Sequence, residues 1–194
     1  MALPDDTRRS YEDSCKLLQR LGYPDAGADG VIPPMPDHRP QSDDEAPLGI
    51  SFFRTFVGQD IEQEDEDVSH RDLENLTLPR TFFGKSNIQY VSFKNTDLSE
   101  SNLCWNDFNE VSFTDANLSG CDLRASLFCE VDFVRTNLRN SDLRRFSFEE
   151  CDFTDADMRL SKLTHEQGKE IDFSEKQRQE IDWQENDGAE PLGG

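Results

Sequence analysis

The sequence predicts an all-β solenoid of about five coils, each coil with four short sides. Three observations predict it. A large apolar residue recurs every five positions, at Phe93, Leu98, Leu103, Phe108 and onward to Met158 and Leu163. A small or β-branched residue stands two positions earlier, as at Thr96, Ser101, Val111, Ala116, Cys121, Ser126, Val131 and Thr136. The pattern also has a twenty-residue super-period, so the identity of the large residue depends on the side it occupies. Phe93, Phe113, Phe133 and Phe153 form one column; Phe108, Phe128 and Phe148 another; Leu98, Leu118, Leu138 and Met158 a third; Leu103, Leu123, Leu143 and Leu163 the fourth. A period of five fits neither a 3.6-residue helix nor a two-residue strand. It fits a coil in which each side points one large and one small residue into a narrow interior. Successive coils lie one strand spacing apart, ~4.8 Å, so like side chains nest on like.

Four segments are expected, in order. Residues 1–70 hold a helix, a linker and an N-terminal cap. An amphipathic helix over 7–21 is capped by Asp6 or Thr7, aligns Tyr11, Cys15, Leu18 and Leu21, and stops at Gly22. Residues 23–48 contain Pro24, Pro33, Pro34, Pro36, Pro40 and Pro47 among many acids and read as linker. Gly49 to Val57 reads as a strand capping the first coil, and 59–67 as an acidic, solvated run. The solenoid spans 71–165. Its register reaches back through Ile88, Phe83, Leu78 and Leu73, with Arg71 and Leu76 as degenerate small positions. Nineteen centres from Leu73 to Leu163 make just under five coils, a rod only ~23 Å long. After Leu163 the five-residue period is expected to fail. Thr164-His165-Glu166-Gln167 and Ser174-Glu175-Lys176-Gln177 are capping-box patterns. The second opens a capping helix to about Gln184, within a C-terminal cap over 166–184. Residues 185–194 read as a disordered tail.

Of 194 residues 41 are acidic and 20 basic, a formal net charge of −21. Residues 1–82 carry 18 acids and 8 bases, 83–165 carry 14 and 9, and 166–194 carry 9 and 3. The acidity is therefore concentrated in the flanks. Such a chain repels nucleic acid and anionic membranes and suits a basic partner. No signal peptide or membrane-length apolar run is present, which leads to the expectation of a cytoplasmic protein. Five cysteines show no C-x-x-C pair, and Cys121 and Cys151 occupy small inward positions. With His38, His70 and His165 far apart, no metal or cofactor is expected. No phosphate loop or nucleophile motif is present, so no enzyme is expected. The Asp and Asn preceding each large residue have a structural task, hydrogen bonding at the corners.

Outward departures from the pattern are the candidate binding residues. Glu110, Glu130 and Glu150 share a column, which places like charges at strand spacing, a destabilising arrangement. Asp132 and Asp152 lie on the adjoining side. Trp105 is an outward aromatic of the type that anchors interfaces, in the column of Ala125 and Arg145. Arg124 stacks with Arg144, and Arg139 with Arg159. Asp115, Arg135 and Asp155 alternate in sign. Phe146 puts a bulky ring at a small position, which must distort the coil or flip outward.

Asp115-Ala-Asn-Leu-Ser119 and Asn140-Ser-Asp-Leu-Arg144 match the A-[D/N]-L-x-x motif, and the chain resembles the pentapeptide-repeat family. That resemblance implies a right-handed quadrilateral β-helix, which is a scaffold and leaves function open. The whole chain also resembles the family's immunity proteins found beside polymorphic or type VI secretion toxins. The resemblance includes Leu-Thr-Leu-Pro-Arg-Thr-Phe-Phe-Gly at 76–84 and Leu-Thr-His-Glu-Gln at 163–167. It implies stoichiometric neutralisation of a cognate, basic, nuclease-type toxin by a monomer or weak dimer. The alternatives are a DNA mimic that binds DNA gyrase, as in the quinolone-resistance members, and a generic interaction scaffold.

Overall fold

The computed structural model describes residues 12, 15, 16, 19, 36–42, 45, 55–57 and 73–186. Residues 73–165 wind into a four-sided parallel β-solenoid. We number the sides by their inward columns: first (Phe93), second (Leu98), third (Leu103) and fourth (Phe108). Strands β1 (Thr55–Val57), β2 (Asn87–Gln89), β3 (Asp107–Asn109), β4 (Leu127–Cys129) and β5 (Ser147–Glu149) form one parallel sheet in that order on the fourth side. Each of β2–β4 pairs with the strand twenty residues on, as in Phe108 opposite Phe128. The other sides are so short that they pair through single bridges, such as Asp97 with Asn117 and Asp122 with Asp142.

Corners explain the five-residue period. Every fifth residue from Asn75 to Leu160 has φ between 51° and 69°, and only Gly120 among them is glycine. On the first and second sides the turn closes with a hydrogen bond: the Thr96 amide donates to the Phe93 carbonyl at 3.0 Å and the Ala116 amide to Phe113 at 2.9 Å. The Asp and Asn residues hold these turns, as expected: Asp97 Oδ1 accepts from the Ser99 amide at 3.0 Å and Asn117 Oδ1 from the Ser119 amide at 3.2 Å. Asn117 and Asn137 also link coils, each Nδ2 donating at 2.9 Å to the residue one coil back.

The interior is two phenylalanine stacks that meet edge to face. Phe93, Phe113, Phe133 and Phe153 stack with centroids 5.1, 5.5 and 4.7 Å apart. Phe108 and Phe128 stack at 5.0 Å, and the two columns cross at Phe108–Phe113 and Phe128–Phe133. The small positions carry a second ladder, in which an inward side chain accepts from the backbone one coil back: Thr81 N–H to Ser101 Oγ at 2.9 Å, Asn106 N–H to Ser126 Oγ at 3.1 Å. Phe146 ends that ladder. It does not flip outward: it is 6% exposed and packs edge-on against Phe128 and Phe148. The bulk is absorbed by Phe148, which is only partly buried and stacks on Phe128 at 27° instead of the 5° of its predecessor.

The five-residue period fails after Leu163 as expected, at Gly168 and Arg178, but the twenty-residue register continues. Strand β6 (Lys162–Thr164) pairs in parallel with β7 (Asp182–Gln184), with Leu163 opposite Trp183, which is the twenty-residue register again. Phe173 lies beneath Phe153, centroids 5.3 Å apart. The cap is a further coil in which helical turns replace two sides: a 3-10 turn at Gln167–Lys169 on the fourth, and a helix at Glu175–Glu180 on the second. That helix ends at Glu180, short of the expected Gln184, because Ile181 re-enters the inward column and is buried. Both capping boxes form. Gln167 Oε1 accepts from the Thr164 amide at 2.9 Å and Gln177 Oε1 from the Ser174 amide at 3.0 Å. Each glutamine then plugs a corner of the coil above: Gln167 Nε2 donates to the Leu143 and Phe146 carbonyls, Gln177 Nε2 to those of Phe153 and Ala156.

At the other end, the described part of the expected linker is docked. Arg39 Nη1 donates to the Gly120 carbonyl at 3.0 Å, and Asn102 Nδ2 donates to that of Pro40 at 3.1 Å, so this segment crosses the second and third sides. Strand β1 pairs with β2 ahead of the first coil, where a cap is expected. Of the expected 7–21 helix, residues 12, 15, 16 and 19 are helical and Cys15 is buried; its other positions, the acidic run 59–67, Arg71 and the tail from 187 lie outside the described residues.

Candidate protein-binding face

The fourth side and its two corners gather the candidate residues. Corner positions are outward because their left-handed backbone turns the chain there. Trp105 and Arg145 stand on the corner between the third and fourth sides. Glu110, Glu130 and Glu150 stand on the corner between the fourth and first sides. Asp132 and Asp152 lie just beyond, bridged to each other across one coil spacing. The sheet floor between these corners carries Asp107, Leu127 and Ser147 in one outward column and Asn109, Cys129 and Glu149 in the next.

The two rims differ in chemistry. One presents exposed apolar side chains beside Arg145: Trp105 is 59% exposed and Leu127 51%. Leu127 is a residue the repeat logic overlooks; its signal is a leucine at an outward position otherwise held by Asn, Asp or Ser. The other rim is acidic. Around Cys129 four carboxylates converge, and desolvation, followed by the charges of Glu149, Glu130, Glu150 and Glu110, pushes its thiol pKa up. Tyr90 heads the glutamate column; the charge of Glu110 and a hydrogen bond to it raise the phenol's pKa. Among the described residues, none of Glu110, Glu130, Glu149 and Glu150 is in an ion pair.

On the other sides four arginines are neutralised by aspartates. Arg124 Nε and Nη2 clasp Asp122 at 2.8 and 2.6 Å, and Arg144 clasps Asp142 at the same distances. Arg159 grips Asp157 likewise. Arg135 bonds Asp115 one coil back through both nitrogens, at 2.7 and 2.6 Å. Of the stacked arginines, Arg124, Arg144 and Arg159 are each paired with an aspartate two residues earlier on their own coil, while Arg139 follows Asn137 and has no such partner. No cluster of metal-ligating side chains occurs among the described residues, and no helix among them is long and apolar enough to cross a membrane.

Residues 72–103, 107–145 and 132–165 match the family model for pentapeptide repeats, in eight copies. No curated protein matches the chain. Among solved structures, a pentapeptide repeat protein of the Arabidopsis thaliana thylakoid lumen is 17% identical over 73% of this chain and 80% of its own, with a TM-score of 0.33. QnrB1, a plasmid-mediated fluoroquinolone resistance protein, is 20% identical over 57% of this chain and 51% of its own, TM-score 0.33. HetL of Nostoc sp. strain PCC 7120, involved in heterocyst differentiation regulation, is 16% identical over 46% and 50%, TM-score 0.24. Likenesses at this level carry no argument about what this chain binds.

Proposed function

Over residues 72–165 the chain is a member of the pentapeptide-repeat family, and from that premise we propose that it is an immunity protein, a stoichiometric inhibitor that neutralises a basic antibacterial toxin domain through its fourth side. One contrast carries the reading. On the other sides Arg124, Arg135, Arg144 and Arg159 are clamped to aspartates, while Glu110, Glu130, Glu149 and Glu150 stand together beside exposed Trp105 and Leu127. Like charges stacked at strand spacing lower stability, and a cationic partner removes that penalty on docking. The apolar rim supplies the desolvated anchor that interfaces need. The acidic rim supplies steering, which raises association rate more than affinity.

The test is co-expression with the toxin gene adjacent to this one, followed by kinetics on the purified pair. Replacing Glu110, Glu130 and Glu150 by lysine is expected to slow association about tenfold or more at low salt, with the difference shrinking as salt rises. Trp105→Ala is expected to act on dissociation instead. A toxin that stays lethal in the presence of this chain, with no complex formed, rejects the reading. Inhibition of gyrase supercoiling by the purified protein favours the DNA-mimic alternative.

A further inference from the structure

The first side ends in an open strand edge. Along that side each coil donates to the next in a fixed pattern: the Phe113 and Asp115 amides to the Asp132 and Val134 carbonyls at 2.8 and 3.0 Å, the Phe133 and Arg135 amides to Asp152 and Thr154 at 2.7 and 2.9 Å. In return the Asp152 amide donates to Val131 at 3.1 Å. The next step is absent. Residues 171–175 continue the register, yet the Phe153 and Asp155 amides and the Cys151 carbonyl make no ladder bond to them, and the Phe173 amide folds back to the Ile171 carbonyl at 2.9 Å. On the second side the Met158 amide is likewise unpaired, where the Leu138 amide bonds Asp157 at 3.0 Å. Closure resumes at Leu160, whose amide reaches the Glu180 carbonyl at 2.8 Å.

Where the ladder is missing there is a groove of about 820 Å³, bounded by the 151–159 edge on one side and by Ile171, Asp172, Ser174, Lys176, Gln177 and Glu180 on the other. That is within the roughly 300–1,000 Å³ of ordinary ligand sites. A row of unpaired backbone groups is a template for another strand. The groove's charge selects which strand. Asp152, Asp155 and Asp172 line it, and its two cations are already engaged, Arg159 with Asp157 and Lys176 with Glu180 at 4.0 Å.

We propose that this groove is a second binding site, which takes an extended, lysine- or arginine-bearing peptide segment as an added strand. The segment's carbonyls accept from the Phe153 and Asp155 amides, and its cations face Asp152, Asp155 and Asp172. The site adjoins the fourth-side face at Asp152 and does not rest on the immunity reading.

The probe is an acetylated, amidated heptapeptide of alternating lysine and threonine, titrated into the full chain and followed by fluorescence anisotropy and amide hydrogen exchange. Exchange at Phe153, Asp155 and Met158 is expected to slow about tenfold or more at saturation. Methylating alternate backbone nitrogens of the peptide is expected to weaken binding about tenfold or more, because strand addition needs its main chain. Asp172→Lys is expected to weaken it similarly, and Glu110→Lys with Glu130→Lys to leave it unchanged. Unaltered exchange at Phe153 and Asp155, full affinity of the methylated peptide, or loss of binding in the glutamate variants overturns the proposal. The exchange measurement uses the unsubstituted protein and so stands even where a variant misfolds.

Discussion

At each corner one residue is held in the left-handed region, and seventeen of these positions carry a side chain. For an L-residue that conformation costs roughly 1–2 kcal/mol. Asn and Asp tolerate it locally; Leu160, at φ 59° and 58% exposed, gains little from its side chain to offset it. Leu160→Gly is therefore expected to raise stability by about 0.5–1 kcal/mol, after glycine's greater chain entropy is subtracted. Gly120→Ala is the reciprocal case. Its φ is 69° and a Cβ there meets Glu100 Cγ at 3.4 Å, so a loss of about 1–2 kcal/mol is expected. Urea midpoints of the two variants check both signs. Cys129 reports on the acidic rim in the same way. With Glu149 and Glu130 replaced by glutamine, the charges that raise its thiol pKa are removed, and alkylation by iodoacetamide at neutral pH is expected to accelerate. An unchanged rate means that desolvation alone governs that thiol.

At the scale of elements, the cap is a repeat with a different period. Leu163-Thr-x-x-Gln-x-x-Glu-Ile-Asp-Phe173 is followed by Phe173-Ser-x-x-Gln-x-x-Glu-Ile-Asp-Trp183. Each ten-residue unit swaps one side for a helical turn and returns to the inward register. Both capping boxes are readable from sequence, because Thr or Ser with Gln three residues on has a local mechanism. The return to register is not readable from a five-residue template, since the helical turns carry no inward residue at the five-residue positions. Ile171, Phe173, Ile181 and Trp183 show it only against the twenty-residue columns. The inward columns from Leu73 to Leu163 were legible for the opposite reason: each coil repeats one steric problem. The candidate face was half legible. The glutamate column follows from register, but the neutralisation of the arginines depends on rotamers that bring Arg124 back onto Asp122, which no spacing rule specifies. Ser174→Ala tests the cap. It removes the Oγ that accepts from the Gln177 amide at 3.3 Å and frees the glutamine that bonds Phe153 and Ala156. A loss of about 1–2 kcal/mol is expected, with hydrogen exchange increasing first at Leu160 and Asp182, whose amides bond to and beside this unit. Equal acceleration across all coils would show that the cap does not melt separately.

For the whole molecule, a net charge of −21 sets how stability depends on pH. Two groups of residues act in opposite windows. Hydrogen bonds from Arg135, Thr154 and Arg159 hold Asp115, Asp152 and Asp157 respectively below the usual carboxylate range. A carboxylate with a lowered folded pKa stabilises the fold above its unfolded value, about 3.9, and that stabilisation is lost as pH falls through the folded value. The buried thiols set the alkaline limit. Burial pushes Cys121 up to about 12 and Cys151 to about 11. Above the ordinary thiol pKa the unfolded chain releases these protons and the folded chain keeps them, so stability falls as pH rises, by about 1.4 kcal/mol per unit for Cys121 alone. Between these limits the net negative charge gives a self-repulsion that lessens as pH falls. Stability is thus expected to be greatest between these limits, to fall below about pH 4, and to fall again above about pH 9. Urea unfolding at intervals from pH 3 to 10.5 checks the curve. Cys121→Ala, which puts at that position the residue that Ala116 already supplies in the adjacent one, is expected to flatten the alkaline arm and leave the acid arm in place. An alkaline arm equally steep in that variant would assign the loss to groups other than this thiol.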